Sequence, residues 1–171
     1  MPRPVGWDYV WGAALQELDR VRPAARIANL ETAVTLSEDA AAKGINYRMS
    51  PANARVLEAA GLDVCSLANN HVLDWGEAGL LETLDTLDHA GIRTCGAGRD
   101  ADEAEHPAAV ELAGGGRVLV FACAHGSSGV PAAWVARAGS PGVNRLRDLS
   151  DGTAAALSDA IDTWRRPGDL V

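Results

Sequence analysis

Residues 62–68 read Leu-Asp-Val-Cys-Ser-Leu-Ala, a near-continuous apolar run between Gly61 and the polar pair Asn69-Asn70. A strand with one wet face alternates apolar and polar side chains. A run this unbroken belongs to a strand covered on both faces, as in a parallel sheet with layers packed on either side. The flanking segments agree. Residues 50–60 and 76–90 carry helical signals, and Gly61 and Gly91 follow them where helices commonly stop. In the second of these helices Leu80, Leu81, Leu84 and Leu87 are expected to point inward, and Glu77, Glu82, Asp85 and Asp88 outward. Residues 26–30 and 92–95 read as further strands, the first of them buried. Strands alternating with helices define an α/β class with at least partly parallel strands.

The remaining segments fill in around this unit. Residues 8–21 read as one helix stopped by Pro23. Residues 31–49 read as a long loop, a feature that inside compact domains tends to be functional. Ser50 is placed to cap the next helix, with Pro51 at its first position. Residues 107–112 and 117–123 read as a hairpin across Gly114-Gly115-Gly116. A short helix over 131–138, a longer one over 153–164, and a turn entering a strand at 168–171 complete the pattern. With no internal repeat or linker, residues 1–171 read as a single domain.

Charge narrows the function classes. There are 23 acidic and 15 Lys/Arg residues, a net charge of −8. That balance argues against a nucleic-acid partner and against anionic membrane surfaces, both of which select basic faces. No stretch approaches the about 18 apolar residues a membrane span needs. Cys65, Cys95 and Cys123 are odd in number and lack C-x-x-C spacing. They read as reduced thiols of a cytoplasmic protein, packed as small apolar residues in or beside buried strands.

Ligands in α/β sheets bind beyond the carboxyl ends of strands, and both Glu31 and Asn70-His71 fall just past predicted strand ends. An asparagine oxygen can ligate a cation, and a neighbouring histidine can protonate a leaving oxygen. On spacing alone Asn69-Asn70-His71 reads first as a polar turn. Asp74 reads first as a cap for the helix starting near Trp75, with orientation of His71 as the alternative. Glu31 is a loop acid or a metal-bridging carboxylate. Lys43, Tyr47 and Arg48 are surface residues or a lip for an anionic substrate. Other candidates fall away. Gly96-Ala97-Gly98 lacks the third glycine of a dinucleotide loop, and His125-Gly126-Ser127-Ser128-Gly129 is out of register with a hydrolase elbow. His89 sits at a helix end where its charge suits the dipole, and His106 has no evident partner. The five tryptophans read as packing residues.

Taken in order, the fragments are more specific than any one alone. They are Asn29-Leu30-Glu31; Asn46-Tyr47-Arg48-Met49 with Pro51; Ala60-Gly61-Leu62-Asp63-Val64; and Ser66-Leu67-Ala68-Asn69-Asn70-His71. Leu73-Asp74-Trp75-Gly76, Gly79-Leu80, Ala90-Gly91-Ile92 and Gly96-Ala97-Gly98 follow. The series resembles the CapA family, the poly-γ-glutamate capsule-synthesis proteins, which are similar to calcineurin-like metallophosphoesterases.

The resemblance implies a metallophosphoesterase-like α/β/β/α sandwich, here an incomplete, N-terminal to middle portion of one. It implies a pair of divalent metals (Mn, Fe or Zn), with Glu31 and Asn70 as metal ligands, His71 as the catalytic acid and Asp74 behind it. Lys43 and Arg48 would face an anionic or phosphorylated substrate, small molecule or polymer. The family's G-D-x-M strand and its later His motifs are absent, so metal binding by this chain is expected to be weak or nil. The expectation for the family is a role in capsule or envelope polymer synthesis. For the chain alone the alternative is a truncated, non-catalytic binding or assembly module. An unfinished strand at 169–171 would leave an apolar edge for self-association.

Overall fold

The computed structural model describes residues 3–171. At its centre is a three-stranded parallel sheet, ordered β1 (Ile27–Asn29), β4 (Val64–Ser66), β5 (Arg93–Cys95). Helix α2 (Arg55–Ala59) precedes β4, and α3 (Gly76–His89) precedes β5. Both helices stop alike. Gly61 and Gly91 take φ of 60° and 69°, and the next residue bonds back: Leu62 N–H to Leu57 O and Ile92 N–H to Leu87 O. Each exit therefore pairs a left-handed glycine with an apolar contact, which turns the chain straight into a strand.

Strand β4 sits between two cores, as its unbroken apolar run requires. Cys65, with Leu67 just beyond, packs toward α3 with Leu57, Leu80, Leu84 and Leu87. Val64 points the other way, joining Cys95 of β5 and Ala108 and Val110 of the hairpin. That hairpin is β7 (Ala108–Glu111) with β8 (Arg117–Val120), antiparallel. Beyond it lies α5 (Asp151–Trp164), tied down where Arg117 Nη2 donates to Trp164 O at 3.1 Å. Helix, parallel sheet, hairpin, helix is the α/β/β/α order. Leu170 then bridges in parallel beside Val118.

Several boundaries differ from expectation for local reasons. The helix expected over 8–21 is split into a 3₁₀ turn (Tyr9–Trp11) and α1 (Ala14–Val21), because Gly12 takes φ 52°, ψ −129°. Strand β1 is an edge rather than a buried strand, since only β4 flanks it, and Ile27 is 46% exposed. The long loop holds a parallel pair, β2 (Ala33–Val34) with β3 (Arg48–Met49), and α3 packs over it. Ser50 makes no side-chain cap; Pro51 opens a 3₁₀ turn (Pro51–Asn53) before α2.

In α3, Leu81 is only half-buried. Glu82, expected outward, accepts from Thr35 Oγ1 and, at 2.8 Å, from Leu36 N–H, so it fastens the β2 segment. The helix expected over 131–138 contracts to a 3₁₀ turn (Ala132–Trp134), and Cys123 is exposed while Cys65 and Cys95 are buried. Helix α4 (Ala101–Glu105) and the antiparallel pair β6 (Ala97–Gly98) with β9 (Gly142–Val143) pack beside β5. Among the described residues no helix is long and apolar enough to cross a membrane.

Candidate functional site

The sheet delivers two turns side by side. Strand β1 ends at Asn29 and runs into Leu30-Glu31; β4 ends at Ser66 and runs, through the buried Leu67, into Asn69-Asn70-His71. Because the strands are parallel and in register (Asn29 opposite Ser66), both turns leave at the same end of the sheet.

Asn69 joins them. Its Nδ2 donates to Asn29 Oδ1 at 3.1 Å and to Leu30 O at 3.0 Å, while its Oδ1 accepts from the His71 backbone N–H at 3.0 Å. Asn29 Nδ2 in turn donates to Glu31 Oε2 at 3.2 Å. Glu31 is exposed, and Asn69 is 6% exposed.

Around His71 the polar groups converge. Asp74 has no exposed surface, and its Oδ2 lies 2.7 Å from His71 Nδ1 and accepts from Tyr47 N–H at 2.6 Å. Lys43 Nζ donates to Asp74 Oδ1 and to the Asn70 carbonyl, each at 2.5 Å. A carboxylate only accepts, so Nδ1 carries the ring proton and Nε2 is the free nitrogen. The 3.3 Å approach of Lys43 Nζ to Nδ1 is therefore a contact between two donors, not a hydrogen bond. Tyr47 stacks on the imidazole with ring centroids 4.0 Å apart at 22°.

Asp74 is thus not a helix cap. The residue before α3 is Trp75, which makes no capping bond, and the carboxylate turns inward instead. Its burial is tolerable because the Lys43 charge and two N–H donors surround it.

Of the residues singled out in the sequence, His71, Asp74, Lys43 and the Asn70 backbone come together. Tyr47 belongs with them through both its ring and its amide. Arg48 is directed elsewhere among its recorded contacts, donating to Ser37 O at 2.8 Å with its guanidinium 4.1 Å over the Trp75 ring. The set-aside His125–Gly129 turn reaches the site: Gly129 takes φ 81°, and a Cβ there would lie 3.2 Å from Asn70 Nδ2. His106, without an evident partner in the sequence, packs edge-on against Trp164 at 4.2 Å. In the sequence Asn29 and Asn69 stood out only as members of the Asn29-Leu30-Glu31 and Asn69-Asn70-His71 motifs, without a role of their own. Their signal was the repeated occurrence of asparagine at the ends of two adjacent strands.

The described residues bring together no group of three or more His, Cys, Asp or Glu able to hold a metal. Glu31 and Asn70 offer two side-chain donors, short of the four a closed site uses. The residues present do not fit a metal pair, and the chemistry available to them is that of His71 and its partners.

This sandwich, with its two loaded turns at the strand ends, defines a metallophosphoesterase-like α/β protein. The chain matches the family of the bacterial capsule synthesis protein PGA_cap over residues 1–171, and it belongs to that family. It is 41% identical over 178 residues to the probable polyglutamine synthesis accessory protein MT0602 of Mycobacterium tuberculosis strain CDC 1551, covering 100% of this chain and 46% of that protein. The corresponding protein Rv0574c of strain H37Rv shows the same figures, 41% over 178 residues. The uncharacterized protein y4sH of Sinorhizobium fredii is 37% identical over 119 residues, 67% of this chain and 25% of that protein. The chain therefore spans about half the length of the mycobacterial relatives it matches.

Proposed function

We propose that this chain forms the His71-bearing part of a protein that serves polyglutamate capsule or related envelope-polymer synthesis, acting on an anionic or phosphorylated substrate. Family membership and the mycobacterial relatives, named as polyglutamine synthesis accessory proteins, support the process. The observation that carries the chemistry is the Asp74–His71 pair. With Nδ1–H held by a buried carboxylate, Nε2 is the nitrogen left for a substrate, and a tenth of the His71 side chain is exposed. Protonated, Nε2 donates its proton to the leaving oxygen of a bound ester; neutral, it accepts one from an attacking water. Glu31 and Asn70 are the two donors this chain would contribute to a divalent metal, and they do not hold a metal pair by themselves. Lys43 provides positive charge beside the site.

Substitution tests this in a polypeptide of the relatives' length that contains this chain. His71→Ala should lower phosphoester hydrolysis by about 100-fold or more, the range of a lost general acid. Unchanged hydrolysis in His71→Ala and Asn70→Ala would remove the reading.

The absence of a three-ligand group among the described residues favours a second reading for the 171 residues alone, a binding or assembly module without hydrolysis. It predicts no phosphoester turnover and no shift in melting temperature with Mn²⁺. Metal-dependent turnover by the 171-residue chain would overturn it.

A further inference from the structure

We infer that Asn69 is a positioning residue at the centre of a one-directional amide relay, Glu31–Asn29–Asn69–His71, that couples the two turns of the site. The direction is fixed by its ends. Glu31 only accepts, so Asn29 presents Nδ2 to it at 3.2 Å and turns Oδ1 toward Asn69. Asn69 must then present Nδ2 to Asn29 Oδ1, and the same nitrogen meets Leu30 O at 3.0 Å, a carbonyl that also only accepts. That leaves Asn69 Oδ1 for the His71 N–H, a group that only donates, at 3.0 Å. No amide in the series can be reversed without setting two acceptors or two donors against each other.

The relay has a consequence beyond holding the turns in place. Hydrogen bonds in series polarise one another, so withdrawing the Glu31 charge weakens the bond at His71 three links away. Asn69 is buried, all its side-chain hydrogen-bonding groups are used, and no other recorded side-chain bond joins the Asn29–Glu31 turn to residues 69–71. The turns that carry the carboxylate and the imidazole are thereby tied to each other through a single side chain. This inference rests on the proposed roles of Glu31 and His71, but its test requires no activity.

The test uses the ¹⁵N-labelled 171-residue chain. Glu31→Ala should shift the His71 amide resonance. Asn29→Ala, which removes the first two links but leaves the Asn69–His71 bond, should abolish that response while His71 amide exchange stays slow. Asn69→Ala should abolish the response and speed His71 amide exchange about tenfold, the loss of one net hydrogen bond. A His71 response to Glu31→Ala that persists in Asn29→Ala, or that is absent from the parent chain, would overturn the relay. Should Asn69→Ala not fold, the Asn29→Ala comparison decides alone. Failure of the proposed function, read by hydrolysis in His71→Ala, would leave these resonances as they are, so the two failures are separable.

Discussion

His71 donates through Nδ1 to Asp74 at 2.7 Å, and Asp74 has no surface exposed to water. A carboxylate so placed is stable only while its partners remain. Asp74→Ala removes the carboxylate acceptor of the Lys43 ammonium, leaving it the Asn70 carbonyl, and leaves the Tyr47 N–H without its acceptor. It should destabilise the chain by about 3–5 kcal/mol, the cost of breaking a buried pair. Asp74→Asn, which keeps the shape and one acceptor oxygen, should cost less. Urea unfolding of the three proteins measures this, and equal stability of Asp74→Ala and the parent would contradict the described network.

The thiols should divide two to one. Burial pushes the Cys65 thiol up to about 12 and the Cys95 thiol up to about 11, so both stay protonated at neutral pH. Cys123 is exposed. Titration with a thiol-reactive disulfide reagent should modify one cysteine in the native chain and three after denaturation. Fast native modification of Cys65 would refute the packing of β4 between two layers.

Acid should weaken the anchor of the bridge at Leu170. The Arg117 guanidinium, bonded at 2.6 Å, holds the Asp169 carboxyl down at about 2. A depressed folded-state value means the contribution is complete above the unfolded value of about 3.9 and is lost as pH falls toward 2. Between pH 5 and 2.5 the parent should therefore lose more stability than Asp169→Asn. Parallel decline of the two would show that Asp169 carries no such linkage.

Leu80 lies fully buried in the α3 face that covers β4. Leu80→Ala should cost about 2–5 kcal/mol in a thermal or urea melt, whereas truncating the exposed Leu149 should cost little. A loss below about 1 kcal/mol at Leu80 would mean α3 does not pack as described.

What the sequence disclosed follows from the range of the forces involved. The unbroken run through Val64-Cys65, the leucine spacing of α3 and the stops at Gly61 and Gly91 are local signals, and the α/β class with parallel strands follows from them, whereas the sandwich order was implied only by the family resemblance. Strands β2 and β3 were hidden because each is two residues long and exists by pairing with the other beneath α3. Glu82 looked outward by periodicity, yet Thr35 and Leu36, from a distant part of the chain, claim its carboxylate. In the site, His71 and Asp74 stand three residues apart, so their pairing could be weighed as an alternative. Lys43 lies 31 residues before Asp74 in a segment without periodicity, and nothing local announces that contact. The asparagines at the two strand ends were visible as letters, but their joining required the parallel register of β1 and β4.

The most direct test of the account is the ring ¹⁵N spectrum of His71 in the 171-residue chain, taken at a pH where the imidazole is neutral. The account requires the proton on Nδ1, bonded to Asp74, with Nε2 bare and available to a ligand. A neutral ring protonated on Nε2, with Nδ1 bare, would contradict the orientation on which the proposed chemistry depends.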